Sequence, residues 1–228
     1  MPTRRNFILA AGLLLAFAPL LAPLAGAETP ASQTPRILVL GDSLSGEYGI
    51  RRGSGWVEVL QQRLEENNIP HQMRNASISG DTTSGGLSRL PEALRRHTPS
   101  IVILALGSND ALRGLPLEMT QANLEKMMEL SRQAGAQAVL AGMRMPPNYG
   151  RAYSDAFARL YDTLAERHDT PLIPFLLDGV ATRPELFQAD RMHPTEEAQP
   201  LIADNVWAVL QPILSHAPQA NQPEVGAK

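Results

Sequence analysis

The chain reads as an α/β protein built on a parallel, doubly wound sheet. Two all-apolar runs, Ile37-Leu38-Val39-Leu40 and Ile101-Val102-Ile103-Leu104-Ala105-Leu106, each stop abruptly at a glycine. Strands apolar on both faces belong in parallel sheets covered by helices. Between such runs lie segments with apolar residues at helical spacing, and strands alternating with helices indicate βαβ units. In sheets of this kind chemistry collects at the carboxyl ends of the strands.

Each element has its own signal. Residues 28–35 are polar and Pro-containing, a leader into the first strand, which ends at Gly41-Asp42-Ser43. Trp56, Val57, Leu60 and Leu64 recur at helical spacing before Asn67-Asn68 and Pro70, which predicts a helix over 54–67. Residues 71–75 form a weaker strand, followed by the turn-rich loop Asn75-Ala76-Ser77-Ile78-Ser79-Gly80-Asp81-Thr82. Leu87, Leu90 and Leu94 line one stripe of a helix from about Thr83 to Arg96. The strand over 100–106 ends at Gly107-Ser108-Asn109-Asp110. A helix over 120–134, a strand over 137–142, a Pro-rich loop over 144–150 and a helix over 151–168 follow. A short strand at Leu172-Ile173 and a closing helix over 195–214 complete the pattern. The stretch 216–228 is rich in Pro, Gln, Ala and Asn without apolar periodicity, and reads as a disordered tail.

A chain of 228 residues with 43% hydrophobic content can form one domain with a sizeable core. Residues 1–27 stand apart. Arg4-Arg5 precede an apolar run from Phe7 to Phe17, then Pro19, Pro23 and Ala25-Gly26-Ala27, the pattern of a signal peptide cleaved after Ala27. An uncleaved membrane anchor is the rival reading, opposed by the two prolines and the A-x-A ending. Thr3-Arg4-Arg5-Asn6-Phe7-Ile8 also resembles a twin-arginine export motif, although ordinary secretory signals also carry paired arginines. Cleavage leaves 201 residues with 18 basic and 23 acidic side chains, a net charge of −5. No basic stripe is then available to neutralise phosphates, which argues against a nucleic-acid partner. The absence of cysteine excludes thiolate chemistry, Cys-based metal sites and a lipid-anchored N-terminal Cys. These features predict a bacterial periplasmic or secreted protein with no stable membrane anchor after cleavage.

Ser43 lies just past the first strand, 150 residues before His193 in Asp190-Arg191-Met192-His193-Pro194. A serine hydroxyl is a poor nucleophile until a base takes its proton, and the His193 imidazole can be that base. Asp190, three residues earlier, can reach the other ring nitrogen and hold one tautomer. A tetrahedral intermediate also needs donors aimed at its oxyanion. The Ser43 amide, the Gly80 amide and the Asn109 side chain can supply them. Gly80 suits close backbone approach because no Cβ intervenes. Taken singly, each signal has a plainer explanation. Gly-Asp-Ser is a common helix-capping turn, Asn109-Asp110 an ordinary loop pair, and Asp-x-x-His a surface network or half a metal site. Their joint placement at strand ends, in one order, points to a nucleophilic hydrolase. His71, His97, His168 and His216 have no partnering motif and read as structural or solvated. A G-x-S-x-G elbow would need glycine at position 45, where this chain has Ser45.

These residues resemble the SGNH, or GDSL, hydrolase family, whose four blocks occur in order. They are Gly41-Asp42-Ser43-Leu44, Gly80-Asp81, Gly107-Ser108-Asn109-Asp110 and Asp190-Arg191-Met192-His193-Pro194. The resemblance implies a three-layer α/β/α, flavodoxin-like fold with a central parallel sheet of about five strands, occupying residues 36–215. It implies Ser43 as nucleophile, Asp190 and His193 as the base system, and Ser43, Gly80 and Asn109 as the oxyanion hole, with no metal and no cofactor. The segments 75–82, Arg89-Leu90-Pro91 and Pro147-Asn148-Tyr149-Gly150-Arg151 are similar to the bacterial periplasmic acyl-CoA thioesterase, lysophospholipase and arylesterase branch. That branch often has glycine where Ser108 stands, an exchange expected to tighten the loop without removing Asn109. By the same resemblance Met145, Pro146, Pro147 and Tyr149 form part of an acyl-binding wall; a rigid Pro-rich connection is the plainer alternative. Asp42 and Asp110 are expected to hold loops. The implied substrates are small acyl esters or thioesters and lysophospholipids.

Two other functions fit parts of the pattern. A carbohydrate O-acetylesterase uses the same constellation. A non-catalytic flavodoxin-like domain binding a nucleotide or flavin is the alternative from another class. Neither G-x-x-x-x-G-K-[ST] nor G-x-G-x-x-G occurs, and a binder has no need of Ser, Asn, Asp and His together.

Overall fold

The computed structural model describes residues 34–145 and 147–216. The predicted signal peptide, most of the leader, Pro146 and the tail beyond His216 lie outside the described residues. Five strands, β1 (Arg36–Gly41), β2 (Gln72–Asn75), β3 (Ile101–Ala105), β4 (Gln137–Ala141) and β5 (Leu172–Ile173), form one sheet. All pairings are parallel, in the order β2-β1-β3-β4-β5. Val39 of β1 pairs with Asn75 on one side and Ile103 on the other. Ile37 to Leu40 are wholly buried, as their continuous apolar run requires. In this order the connections diverge between β1 and β3, and the crevice at their carboxyl ends is where such sheets bind ligands.

Among the described residues six helices cover the sheet: α1 (Trp56–Glu66), α2 (Thr83–His97), α3 (Ser108–Leu112), α4 (Leu117–Gln133), α5 (Arg151–His168) and α6 (Gln199–His216). α1 packs beside α6, and α4 packs between α2 and α5, which gives a helical layer on each face. Trp56, Val57, Leu60 and Leu64 are the buried stripe of α1. The Trp56 indole N–H donates to the Leu44 carbonyl at 3.1 Å, and the Trp56 backbone N–H donates to Gln199 Oε1 at 3.1 Å. One residue thus fixes α1 to the turn after Ser43 and to the start of α6. α2 begins under a Thr82 cap whose hydroxyl accepts the Gly85 N–H at 3.3 Å. A Cβ on Gly86 would lie 2.2 Å from Leu106 Cδ1, so glycine lets α2 approach the end of β3 closely.

The predicted strands and long helices are present, with shifted ends. α4 starts at Leu117, earlier than the pattern suggests, because Pro116 serves as its N-cap residue. The closing helix is preceded by a separate 3₁₀ turn, Glu196–Ala198, and α6 runs through His216, the first residue assigned to the tail. The Pro-rich loop contains a 3₁₀ turn at Pro147–Tyr149. α3 is the one helix the sequence pattern missed: five residues are too few to display apolar periodicity. No helix among the described residues is long and apolar enough to cross a membrane.

Candidate active site

β1 delivers Ser43 on a tight turn. Asp42 Oδ1 accepts the Leu44 N–H at 3.0 Å, and the Asp42 carbonyl accepts the Ser45 N–H at 3.2 Å. A Cβ on Gly41 would lie 2.7 Å from Ser45 Oγ and 2.9 Å from Ser77 Oγ, so the turn closes over glycine.

His193 arrives on a loop that is closed on itself. Phe187 bridges antiparallel to Pro194, and the Gln188 N–H donates to the His193 carbonyl at 2.8 Å. Arg191 reverses the chain at φ 56°. Asp190 Oδ1 accepts the N–H groups of Met192 at 2.9 Å and His193 at 3.0 Å, while Oδ2 lies 2.6 Å from His193 Nδ1. The hydrogen bond from the His193 ring, followed by those backbone N–H groups, holds the Asp190 carboxyl down at about 2. An ionised Asp190 can only accept, so Nδ1 carries the shared proton, and in the neutral imidazole this tautomer leaves the Nε2 lone pair facing away from Asp190. Nε2 stands 3.0 Å from Ser43 Oγ. Asp190, His193 and Ser43 therefore form one continuous hydrogen-bonded chain, able to draw a proton from the hydroxyl.

The oxyanion side has matching features. Among the described residues the N–H groups of Ser43 and Gly80 donate to no protein acceptor. Gly80 sits at φ 78°, the left-handed region that favours glycine. Gly107, at φ 121°, turns the chain from β3 into α3; a Cβ there would lie 2.2 Å from Tyr161 Oη. That turn brings Asn109 Nδ2 to 3.2 Å from Asp42 Oδ2, leaving a second amide hydrogen unspent. Burial pushes the Asp42 carboxyl up to about 6, against the hydrogen bonds from Leu44 and Asn109 and the charge of His193. Asp110 accepts the Thr83 N–H at 2.8 Å and a short hydrogen bond from the Thr83 hydroxyl, which ties α3 to the start of α2. Both aspartates thus hold loops.

Tyr48 belongs to this site and carried no sequence signal beyond being a lone aromatic in the glycine-flanked loop after Ser43. Its half-exposed ring lies 4.3 Å from the His193 ring, tilted by 37°. Gln188 Nε2 donates to the carbonyls of Tyr48 at 2.8 Å and Pro194 at 3.0 Å, clamping the two loops together. The residues expected to form an acyl wall are divided. Met145 is buried in the core, Tyr149 is exposed, Pro147 opens the 3₁₀ turn, and Pro146 lies outside the described residues. Neither Met145 nor Tyr149 has a hydrogen bond or ring contact to Ser43 or His193. Away from the site, His168 pairs with Glu125 at 2.8 Å. No group of three or more His, Cys, Asp or Glu side chains able to hold a metal occurs among the described residues.

Residues 39–200 match the model of the GDSL-like lipase/acylhydrolase family. The chain belongs to that family. Over 187 residues it is 44% identical to a protein named Esterase TesA from Pseudomonas aeruginosa, covering 82% of this chain and 92% of the relative. It is 39% identical over 186 residues to Thioesterase 1/protease 1/lysophospholipase L1 from Escherichia coli K12, covering 82% and 88%. Among solved structures, the psychrotrophic esterase EstA from Pseudoalteromonas, inhibited by monoethylphosphonate, superposes with a TM-score of 0.76 at 37% identity. That match covers 79% of this chain and 99% of EstA. The superposition extends over most of the described sheet and helices of this chain, so the two proteins share one fold.

Proposed function

We propose that the protein is an exported serine esterase that hydrolyses carboxylic ester or thioester acyl groups through an acyl-enzyme. One observation carries this reading. The Asp190–His193–Ser43 chain has links of 2.6 and 3.0 Å, while among the described residues the Ser43 and Gly80 N–H groups donate to no protein acceptor and Asn109 keeps a spare amide hydrogen. Ser43 Oγ attacks the acyl carbon as its proton passes to His193 Nε2, and the carbonyl electron pair moves onto oxygen. The N–H groups of Ser43 and Gly80 and the Asn109 amide receive that oxyanion. Collapse expels the alcohol or thiol, which takes the proton from His193. Water then repeats the sequence on the acyl-enzyme, releasing the acid and restoring Ser43. No cofactor enters the scheme.

The relatives named as esterase, thioesterase and lysophospholipase support small acyl esters, thioesters and lysophospholipids as the substrate class. Met145, Pro146, Pro147 and Tyr149 are the proposed acyl wall. Export rests on the Arg4-Arg5 start, the apolar run and the Ala25-Gly26-Ala27 ending of the first 27 residues. The test is hydrolysis of p-nitrophenyl esters from acetyl to palmitoyl, and of palmitoyl-CoA, by the mature protein and Ser43→Ala. Turnover confined to the unmodified protein is expected. Equal turnover in both proteins would remove Ser43 from the mechanism.

A further inference from the structure

Ser43, Gly80 and Asn109 stand on three separate elements: the turn after β1, the loop before α2, and α3. Donors to an oxyanion act together only while their relative positions are fixed, because a misplacement of about 1 Å can cost roughly 10²-fold in rate. Two of the donor-bearing residues lack the means to fix themselves. Gly80 has no Cβ to restrict its backbone, and a Cβ built there would meet only Arg113 Nη2, at 3.8 Å. α3 has five residues, too few for a self-supporting helix.

Side chains join these elements in pairs. Arg89, on α2, grips the first two. Its Nη2 donates to the Gly41 carbonyl at 3.2 Å, its Nη1 makes a short hydrogen bond to the Ala76 carbonyl, and its Nε meets Asp81 Oδ2 at 2.7 Å. One guanidinium therefore holds the strand end before Ser43 and both flanks of Gly80. The Ile78 N–H reinforces that junction by donating to the Gly41 carbonyl at 3.0 Å. Arg113, at the C-terminal cap of α3, donates from Nη2 to the Gly80 carbonyl at 2.8 Å. Asp42 and Asn109 close the circuit at 3.2 Å.

An arginine capping a carbonyl is often no more than a surface bond. The Arg113 bond is also exposed, but it ties the end of α3 directly to Gly80; among the described residues its guanidinium has no carboxylate partner, and the Gly80 carbonyl is the one acceptor it meets. We propose that Arg113 and Arg89 are positioning residues of the oxyanion hole, joining, together with Asp42, the three elements that carry Ser43, Gly80 and Asn109. The inference rests on the serine-esterase reading above.

The experiment compares the unmodified protein with Arg113→Ala, Arg113→Lys and Arg89→Lys, with Ser43→Ala as the inactive reference. kcat and KM for p-nitrophenyl butyrate are measured beside the affinity for butylboronic acid, whose tetrahedral serine adduct occupies the oxyanion hole. Arg113→Ala is expected to lower kcat roughly tenfold with KM unchanged, and to weaken boronate binding by the same factor. Arg113→Lys recovers part of both losses. Arg89→Lys keeps the charge but loses the fork, and shows the same split between kcat and KM. In an Asn109→Ala background the Arg113→Ala effect shrinks, because one of the donors it aligns is gone. Unchanged kcat and boronate affinity in Arg113→Ala and Arg89→Lys, with Ser43→Ala inactive, would overturn the inference alone. A fall in melting temperature without loss of boronate affinity would also overturn it. If the unmodified protein hydrolyses no ester, the esterase reading falls and takes this inference with it.

Discussion

Replacing Asp42 with asparagine should separate stability from activity. Asp42 is 2% exposed, and burial lifts its carboxyl from 3.8 to about 6 even though Leu44 and Asn109 donate to it. At about 1.4 kcal/mol per pH unit, holding the ionised group in the folded protein costs roughly 3 kcal/mol above that range. Because the folded-state pKa is the higher one, the associated stability is present below about 3.8 and lost as the pH rises through about 6. The neutral amide of Asp42→Asn keeps an acceptor for the Leu44 N–H and removes the pH dependence. Its unfolding free energy at pH 8 should therefore match or exceed that of the unmodified protein, by up to roughly 3 kcal/mol, with the difference closing towards pH 4. Activity should move the other way. The new NH₂ faces the Asn109 NH₂, so Asn109 must either turn its carbonyl oxygen inward or lose the bond at 3.2 Å. Either outcome removes an aimed donor, and kcat should fall roughly 10²–10³-fold. Urea unfolding at pH 4 and pH 8, paired with p-nitrophenyl butyrate turnover at pH 8, reads both quantities. A variant with undiminished kcat would refute the role given to Asp42, as would one equally destabilised at both pH values.

Three further outcomes follow from the geometry. Asn109→Ala should lower kcat roughly 10²–10³-fold with an unchanged circular dichroism spectrum; a loss below tenfold in a folded variant would remove Asn109 from the oxyanion hole. Tyr48→Ala deletes the ring 4.3 Å from His193 and should lower kcat/KM about two- to tenfold, while Tyr48→Phe retains it; equal losses in the two variants would place the effect on the hydroxyl instead. Gly80→Ala has room for its methyl group but not a favourable backbone at φ 78°, so denaturant unfolding should show a loss of about 1–2 kcal/mol. A larger loss would point to a clash the present packing does not contain.

The parts of this protein visible in its sequence are those where one physical cause dominates. Ile37 to Leu40 read as a central strand because both faces are buried, and a run with no polar interruption satisfies only that situation. Ser43, Gly80, Asn109 and His193 read as candidates because each follows a strand or a turn at a boundary the apolar pattern marks. Asp190 was legible because its spacing from His193 lets one side chain cap the turn and hold the ring. α3 was not, since five residues leave no period to detect. Nor was Tyr48, whose contact joins loops 145 residues apart and depends on how Gln188 clamps them. Arg89 stands out in sequence only through the Arg89-Leu90-Pro91 resemblance and Arg113 carries no sequence signal; only the fold shows which carbonyls they reach. The Asp42 carboxyl illustrates the same limit, because a buried aspartate and a capping one share the Gly-Asp-Ser turn.

Ser43 is proposed as the nucleophile of a single hydrolytic site. The most direct test is titration of the mature protein with ethyl p-nitrophenyl phosphonate, followed by intact-mass and peptide mapping alongside residual ester and thioester turnover. One adduct is expected, on the peptide containing Ser43, with both activities falling in proportion to labelling and no adduct on Ser43→Ala. Turnover that survives complete labelling, or an adduct on another residue that abolishes it, would remove Ser43 from that role.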